Sequence, residues 1–276
     1  MTARLSVLFL VKNEADRLPA ALATVAWADE VVVVDTGSTD ATRALAAARG
    51  ARVVEVPWEG WVVSRNRALA EARNDWVLFL DADERVSPEL GAEIRRALEQ
   101  APEPVAGFTT PRLSTFLGRT VRHGTWYPDR KLRLARRSRR FRVEGGRVHE
   151  RFAVDGAVAR LASPLLHDTY RDLGDALAKT VLYARLSAED RFDAGGRAGA
   201  FALLVRPPLE FLRSWVWKLG VLDGAAGLGV ALLHALSYAL RAAFLIEKRR
   251  LARTMPREDA PRPALARETP RAAEET

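Results

Sequence analysis

The sequence predicts an α/β protein, a doubly wound and mostly parallel sheet with a C-terminal helical extension. Three observations predict it. The first hundred residues alternate between short apolar runs and alanine-rich, helix-favouring segments; the residues just after the apolar runs are polar; and beyond His167 the pattern turns to helix alone. Near-continuous apolar runs of strand length, separated by single helices, mean a parallel sheet covered on both faces.

Taken in order, Leu5 to Val11, Glu30 to Asp35, Arg52 to Val56 and Trp76 to Leu80 are the expected strands, rich in Val, Leu and Phe. Asp16 to Ala26, Thr39 to Arg49 and Trp61 to Arg73 carry apolar residues at spacings of three and four and are the expected helices between them. Pro88 to Gln100 reads as a fourth helix, with Ser87 as N-cap and Pro88 at the first helical position. Pro102 and Pro104 close that segment. Shorter strands follow from Val105 to about His167, with Gly145-Gly146 and Asp155-Gly156 as turns, and are expected to extend the same sheet.

Helices are then expected over 172–190, over 201–219 with an interruption at Pro207-Pro208, and over 223–250. The last carries no formal charge between Asp223 and Arg241, a stretch short for a membrane span of about 20 residues, so it is expected to lie in a membrane interface or against a neighbour. Trp215, Trp217, Arg206, Arg213 and Lys218 suit a belt at headgroup level. The organisation expected is an α/β unit over 1–167, a helical extension over 168–255, and a charged, proline-rich tail over 256–276 without apolar period, expected to be disordered. Met1 to Arg4 runs directly into an apolar strand, unlike a secretory leader, so a cytoplasmic location is expected.

The 276 residues include no cysteine, which excludes disulfides, zinc–thiolate sites and a cysteine nucleophile. The formal charge of +8 is concentrated: from Arg112 to Arg151 there are thirteen Arg and Lys against three acids. Such a block suits a phosphate-bearing partner. Nucleic acid is the poorer candidate, because the chain has no aromatic-interleaved single-strand motif and no recognisable reading helix.

Ligands of a doubly wound sheet bind at the carboxyl ends of its strands. Strand one ends in Lys12-Asn13-Glu14, strand two in Asp35-Thr36-Gly37-Ser38-Thr39-Asp40 and strand four in Asp81-Ala82-Asp83-Glu84. Asp81 and Asp83 leave an extended chain on the same side and can converge on one hard cation through oxygen; magnesium or manganese fits, and zinc does not. An Asp at the end of strand two can accept hydrogen bonds from a base or ribose. Neither G-x-G-x-x-G nor G-x-x-x-x-G-K-[ST] occurs, so a different nucleotide-binding class is needed.

The blocks LSVLFLVKNE (5–14), WADEVVVVDTGSTD (27–40), PWEGWVVSRNRALA (57–70) and DWVLFLDADE (75–84), with RHGTWYPDRKLRL (122–134) and GGRVHERF (145–152), resemble family 2 glycosyltransferases of the GT-A fold. The branch most resembled is that of the lipopolysaccharide core β-1,4-glucosyltransferase-like proteins. The resemblance implies that Asn13 and Glu14 line the pocket of a nucleotide-sugar donor and that Asp35 contacts the base of a UDP-type donor. It places Arg65 and Asn66 near the diphosphate or donor sugar, Asp83 on a divalent cation, Mg or Mn, and Asp81 nearer the ribose and also within reach of the metal. The family's base is an acid in a place filled here by His149-Glu150, with Glu150 preferred and His149, whose ordinary pKa suits proton transfer, as the rival.

Asp129, with Trp126 and Tyr127, is a candidate for binding the acceptor, and the arginine block around Glu150 is expected at the acceptor side. The Q-x-x-R-W helix of processive synthases is absent, implying transfer of a single sugar; a single displacement would invert the anomeric centre, and the resemblance implies glucose or a similar hexose from a UDP-sugar, moving to a lipopolysaccharide-core or other anionic glycolipid acceptor. The location implied is the inner face of the cytoplasmic membrane, with peripheral attachment. An inactive scaffold serving as a membrane partner, and transfer to a peptide or a polyprenyl phosphate, are the alternatives.

Overall fold

The computed structural model describes residues 3–145 and 150–254. Strands β1 (Leu5–Val11), β2 (Glu30–Asp35), β3 (Arg52–Glu55) and β4 (Trp76–Leu80) pair in parallel in the order β3-β2-β1-β4. Helices α1 (Leu18–Ala23), α2 (Thr42–Ala47) and α3 (Trp61–Ala70) connect them. Alternation along the strands divides the interior. Leu5, Val7, Phe9 and Val11 of β1 join Trp76, Leu78 and Leu80 of β4 on one face; Leu8 and Leu10 join Val77 and Phe79 on the other. Each such fully buried Leu, Val or Phe contributes about 1.5–3 kcal/mol.

β5 (Glu84–Val86) follows at once, and α4 (Pro88–Gln100) begins where Ser87 accepts a hydrogen bond from the Leu90 amide, the expected cap. Its buried Leu90, Ile94 and Leu98 pack on the first face beside Leu18 and Leu22. The second half of the sheet is mixed: β6 (Val105–Phe116), β8 (Asp129–Arg136), β11 (Ala157–Arg160) and β12 (Leu165–His167) extend it, giving the order β3-β2-β1-β4-β8-β6-β12-β5. β11 and the short β7 (Arg119–Thr120) pair with β6 off this path. One pair departs from the expected continuous sheet, because β9 (Arg142–Glu144) and β10 (Arg151–Ala153) form their own antiparallel ribbon.

The first helices are shorter than the propensity pattern predicts. α2 starts at Thr42 because Asp40 binds the Thr42 amide and hydroxyl, while Thr39 is drawn to the Asn13 side chain. The extension consists of α5 (Leu173–Asp193), α6 (Arg206–Leu212) between wide, π-type turns at Phe201–Val205 and Arg213–Trp217, and α7 (Gly224–Thr254). Pro207-Pro208 does not break the segment, since both sit in the first turn of α6, where a missing N–H costs least. The extension joins the sheet through a third cluster, with Phe116 and Val121 packed on Ala176, Ala226, Val230 and Leu233. His123 ties the same junction: its amide and Nδ1 contact the Asp223 carboxylate at 2.7 and 2.9 Å. The tail expected over 256–276 lies outside the described residues.

Candidate active site

Register brings the strand ends together. Val11 lies beside Asp35 and Phe9 beside Leu80, so Asn13, Asp35 and Asp81 emerge along one edge. The loops after β1 and β2 are laced by side chains: the Asn13 amide donates to Ser38 Oγ (2.8 Å), the Thr39 amide to Asn13 Oδ1 (2.8 Å) and the Glu14 amide to Thr42 Oγ1 (2.9 Å). Asn13 adopts φ +55°, a left-handed conformation Asn tolerates. Its side chain thus holds the turn that shapes this edge.

Asp35 is fully buried. Its Oδ1 accepts from the Gly37 and Ser38 amides at 3.0 and 2.9 Å, a turn that needs Gly37 at φ +100°. Oδ2 is buried with no hydrogen-bond partner among the described residues. Leaving a carboxylate oxygen without a donor is costly, so this atom is available to a hydrogen-bond donor of a bound ligand. Glu14 faces Arg171 (3.0 Å) from the segment before α5, and burial, outweighing Arg171 and Arg17, raises its carboxyl above the usual range.

The Asp81-Ala82-Asp83-Glu84 turn is the centre of a dense ion network. Asp81 Oδ1 meets Arg65 at 2.9 Å and Oδ2 meets Arg133 at 2.6 Å. Burial works to raise this carboxyl, but Arg133 and Arg65, with Arg112 beyond, hold it well below the usual carboxylate range. Arg133 also meets the fully buried Glu84 at 2.6 Å, and Glu84 Oε2 accepts from the Asp81 amide at 3.0 Å, fixing the turn. With both oxygens taken by guanidinium groups, Asp81 is the weaker of the two expected metal carboxylates in this arrangement.

Asp83 is held more loosely, by Arg17 at 3.5 Å, and its Oδ2 lies 3.6 Å from His167 Nε2. His167 Nδ1 is fixed by the hydroxyls of Ser114 and Thr169, each at 3.0 Å. A carboxylate oxygen and an imidazole nitrogen at this separation are too far apart to hydrogen-bond and close enough to share one cation. Among the described residues no group of three or more His, Asp or Glu is arranged to hold an ion, so a cation here would draw its other ligands from a bound diphosphate and water.

Glu150 enters the site beside Arg65, which meets Oε1 at 2.6 Å; Oε2 is buried without a partner among the described residues. Burial raises this carboxyl, Arg65 opposes, Asp81 raises it further, and the net position is above the usual glutamate value. His149, the rival, lies outside the described residues. Arg65 also lies 5.0 Å from the Trp61 ring, and Trp61 meets Trp58 edge to face. Tyr183 of α5 senses Glu150, Asp81 and Asp83; burial first, and then these charges, raise its hydroxyl.

Several expected site residues are engaged within the fold. The Asn66 side-chain amide pairs with both backbone groups of Val143 at 2.9 Å, pinning β9 to α3. Trp126 packs on Phe116 and Tyr170 in the cluster under the extension, so its ring is structural. Both Asp129 oxygens are engaged, by Arg112 (2.7 Å) and Lys131 (3.1 Å), which after burial's opposing pull keep it below the usual range. Tyr127 is half-buried beside them.

The arginine block also splits. β8 runs antiparallel to β4 and sets Arg136 beside Trp76, so Arg136 and Arg137 bind Asp75 and the Ala72 carbonyl at the amino end of β4, away from Asp81. Arg112 and Arg133 are the members that reach the site. Arg17, Glu84, Arg133, His167 and Tyr183 were not singled out as site residues by sequence. A cavity of about 640 Å³ opens beside Asp83, lined by Arg17, Phe116, Asp168, Tyr170 and Arg171; the Asp168 amide donates to the Asp83 carbonyl.

Comparison with known proteins bears on the fold and the family. Lipopolysaccharide core biosynthesis glycosyltransferase LpsC of Rhizobium meliloti is 29% identical over 228 residues, 79% of this chain and 84% of that protein. A TPR repeat-containing protein of Synechococcus elongatus is 42% identical over 118 residues, 42% of this chain and only 29% of that one. Among solved structures, the mannosyltransferase PcManGT of Pyrobaculum calidifontis, in complex with GDP-Man and Mn²⁺, superposes with TM-score 0.51 at 16% identity, over 92% of this chain and 89% of that one. Glucosyl-3-phosphoglycerate synthase of Mycobacterium tuberculosis does so with TM-score 0.50 at 19% identity, over 73% and 83%. These likenesses agree with a GT-A fold. The model of the glycosyl transferase family 2 matches residues 6–155, more than half of the chain, and the chain belongs to that family.

Proposed function

We propose that this chain transfers one hexose from a UDP-type nucleotide sugar to an anionic glycolipid or saccharide acceptor, with inversion at the anomeric carbon. The observation that carries the reading is the single edge on which Asp35 Oδ2 and Glu150 Oε2 lie unpartnered while Asp83 faces His167. Asp35 would take a hydrogen bond from the base or ribose. Asp83 and His167 would hold a divalent cation, Mg or Mn; such an ion, when bound, offsets the charge of the departing diphosphate. Glu150 Oε2 accepts the proton of the acceptor hydroxyl, whose oxygen forms the new bond to the anomeric carbon as the bond to the diphosphate oxygen breaks and that oxygen leaves with the electron pair. One such displacement inverts the centre. Arg65 keeps Glu150 and Asp81 in place while this happens.

The likeness to LpsC supports a lipopolysaccharide-core acceptor. The extension supports peripheral attachment to the inner face of the cytoplasmic membrane. Within Gly220–Thr254 an 18-residue window has mean hydropathy 1.6 and is 28% buried, and Leu204 and Trp217 are each 68% exposed. Calorimetric titration with UDP-, GDP- and CMP-linked sugars, with Mn²⁺ and with chelator, tests the donor half. Metal-dependent binding of a UDP-sugar that is lost in Asp83→Ala is the expected result. Undiminished binding in chelator, or in Asp83→Ala, overturns the cation assignment.

A further inference from the structure

A second cavity, of about 370 Å³, lies within the extension, between the C-terminal part of α5, the wide turn at 201–205 and the middle of α7. None of its lining residues belongs to the site described above. Small side chains such as Ala202 make the space, and Arg191, Arg206 and Arg241 line it with a single acid, Asp190, among them. The guanidinium groups of Arg206 and Arg241 both lie against the ring of Tyr238, at 4.7 and 5.3 Å from its centre, which keeps two like charges within about a Debye length of each other.

Their compensation among the described residues is poor. Arg206 reaches Glu210 only at 3.8 Å, and that carboxylate is shared with Arg213 and His234, each at 3.3 Å. Neither Arg191 nor Arg241 forms an ion pair with a described residue, and Arg241 Nε is buried without a hydrogen-bond partner among them. Clustered cations over an aromatic ring in a concave, partly apolar site are the chemistry that receives a phosphate. The rim supplies the second half of a ligand: Phe201, Leu204 and Val205 of the wide turn stand exposed beside the cavity.

We propose that this cavity binds the phosphate of an anionic phospholipid headgroup, with the exposed Phe201, Leu204 and Val205 in the acyl boundary, and so fixes the extension on the membrane. The inference rests on the peripheral-membrane part of the function proposed above. It is tested with the full chain and vesicles of phosphatidylcholine alone or mixed with phosphatidylglycerol, reading bound protein by cosedimentation, turnover of soluble donor in parallel, and folding by thermal melting. Phosphatidylglycerol should tighten binding, and Arg206→Gln with Arg241→Gln should remove roughly tenfold of that affinity.

Arg197→Gln with Arg250→Gln, which takes the same charge from exposed positions outside the cavity, should cost only about twofold. Ala202→Leu, which fills the cavity and keeps every charge, should also lower the preference while donor turnover stands. Equal preference in wild type and cavity variants overturns the inference, as does an equal loss in the exposed pair, which would mean diffuse surface charge. Stabilisation of the wild type by inorganic phosphate without any preference among vesicles also overturns the lipid assignment. Donor turnover with no vesicle binding at all removes the membrane reading and this inference together, and leaves glycosyl transfer untouched.

Discussion

Arg133 is the side chain on which the charge balance of the site depends most. Its side chain is 5% exposed and makes two contacts of 2.6 Å, to Asp81 and to the fully buried Glu84. In Arg133→Gln, Asp81 retains Arg65, but Glu84 is left with Arg112 at 3.7 Å. Removing one partner of a buried ion pair costs about 3–5 kcal/mol, and because glutamine can still donate to one carboxylate, the lower end, about 3 kcal/mol, is expected here. Arg133→Lys, which keeps the charge but not the fork, should recover part of it.

The pH dependence has a definite sign. Asp81 is depressed in the folded state, so its contribution is full above the unfolded value and is lost as pH falls through the folded one. Removing Arg133 raises the folded value. The gap between variant and wild type is therefore full at neutral pH and narrows as pH falls through the variant's raised value toward the lower one of the wild type. Urea unfolding at pH 7.5 and again at pH 4.5 measures it. A difference below about 1 kcal/mol at pH 7.5, or one that widens on acidification, would refute the reasoning.

Four further outcomes are expected. Glu150→Gln should keep donor binding and cut transfer by about 10² or more, and since burial raises Glu150 in the wild type, the acidic limb of kcat/KM should sit above the ordinary glutamate range. Arg65→Met removes the charge that opposes that rise, so the limb should move to higher pH; a limb that stays put counts against Glu150 as the base. His167→Ala should weaken Mn²⁺-dependent donor binding and spare metal-free nucleotide binding, whereas equal loss in both would reduce His167 to a packing role. Asn66→Ala should destabilise the fold by about 1–3 kcal/mol through the two Val143 backbone groups it frees, with donor KM unchanged; a selective rise in donor KM would restore the donor contact that sequence suggested.

The strands were legible because burial on both faces leaves an unbroken apolar run whose ends are marked by polar residues, and β1, β2 and β4 start and stop where those runs do. Helix ends were less legible, since side chains such as Asp40 and Asn13 compete for the first-turn backbone. In the site, Asp35, Asp81, Asp83, Arg65 and Glu150 could be named from strand ends and from resemblance. Arg133 and His167 could not. Their partners lie 52 and 84 positions away in the chain, and the contact exists only because β8 inserts antiparallel between β4 and β6 and β12 ends beside β5. The same antiparallel insertion carries Arg136 and Arg137 to the far end of β4, a reversal no composition count can reveal. The one sequence signal at His167 was a polar residue ending a short apolar run where the chain turns to helix.

The balance of charge at the strand edge constrains what can bind. Among the described residues Asp81, Asp83, Glu84 and Glu150 are matched by Arg17, Arg65, Arg112 and Arg133, and Asp129 by Lys131, so the side chains around the acidic turn are close to neutral before any ligand arrives. A nucleoside diphosphate brings net negative charge into a partly buried space, where each uncompensated charge is costly. Arg65 and Arg133 can neutralise it only by abandoning Asp81, Glu84 or Glu150, which would leave carboxylates unpaired in their place. A divalent cation would avoid the exchange, and among these carboxylates Asp83 is the one with no ion contact to a described residue shorter than 3.5 Å and with a neighbouring imidazole. On the proposed reading the arginines would hold the acidic turn and Glu150 in position, and the added charge of the donor would be met by a cation at Asp83. A donor that bound tightly in chelator, with Arg65 and Arg133 intact, would show that the guanidinium groups exchange partners after all.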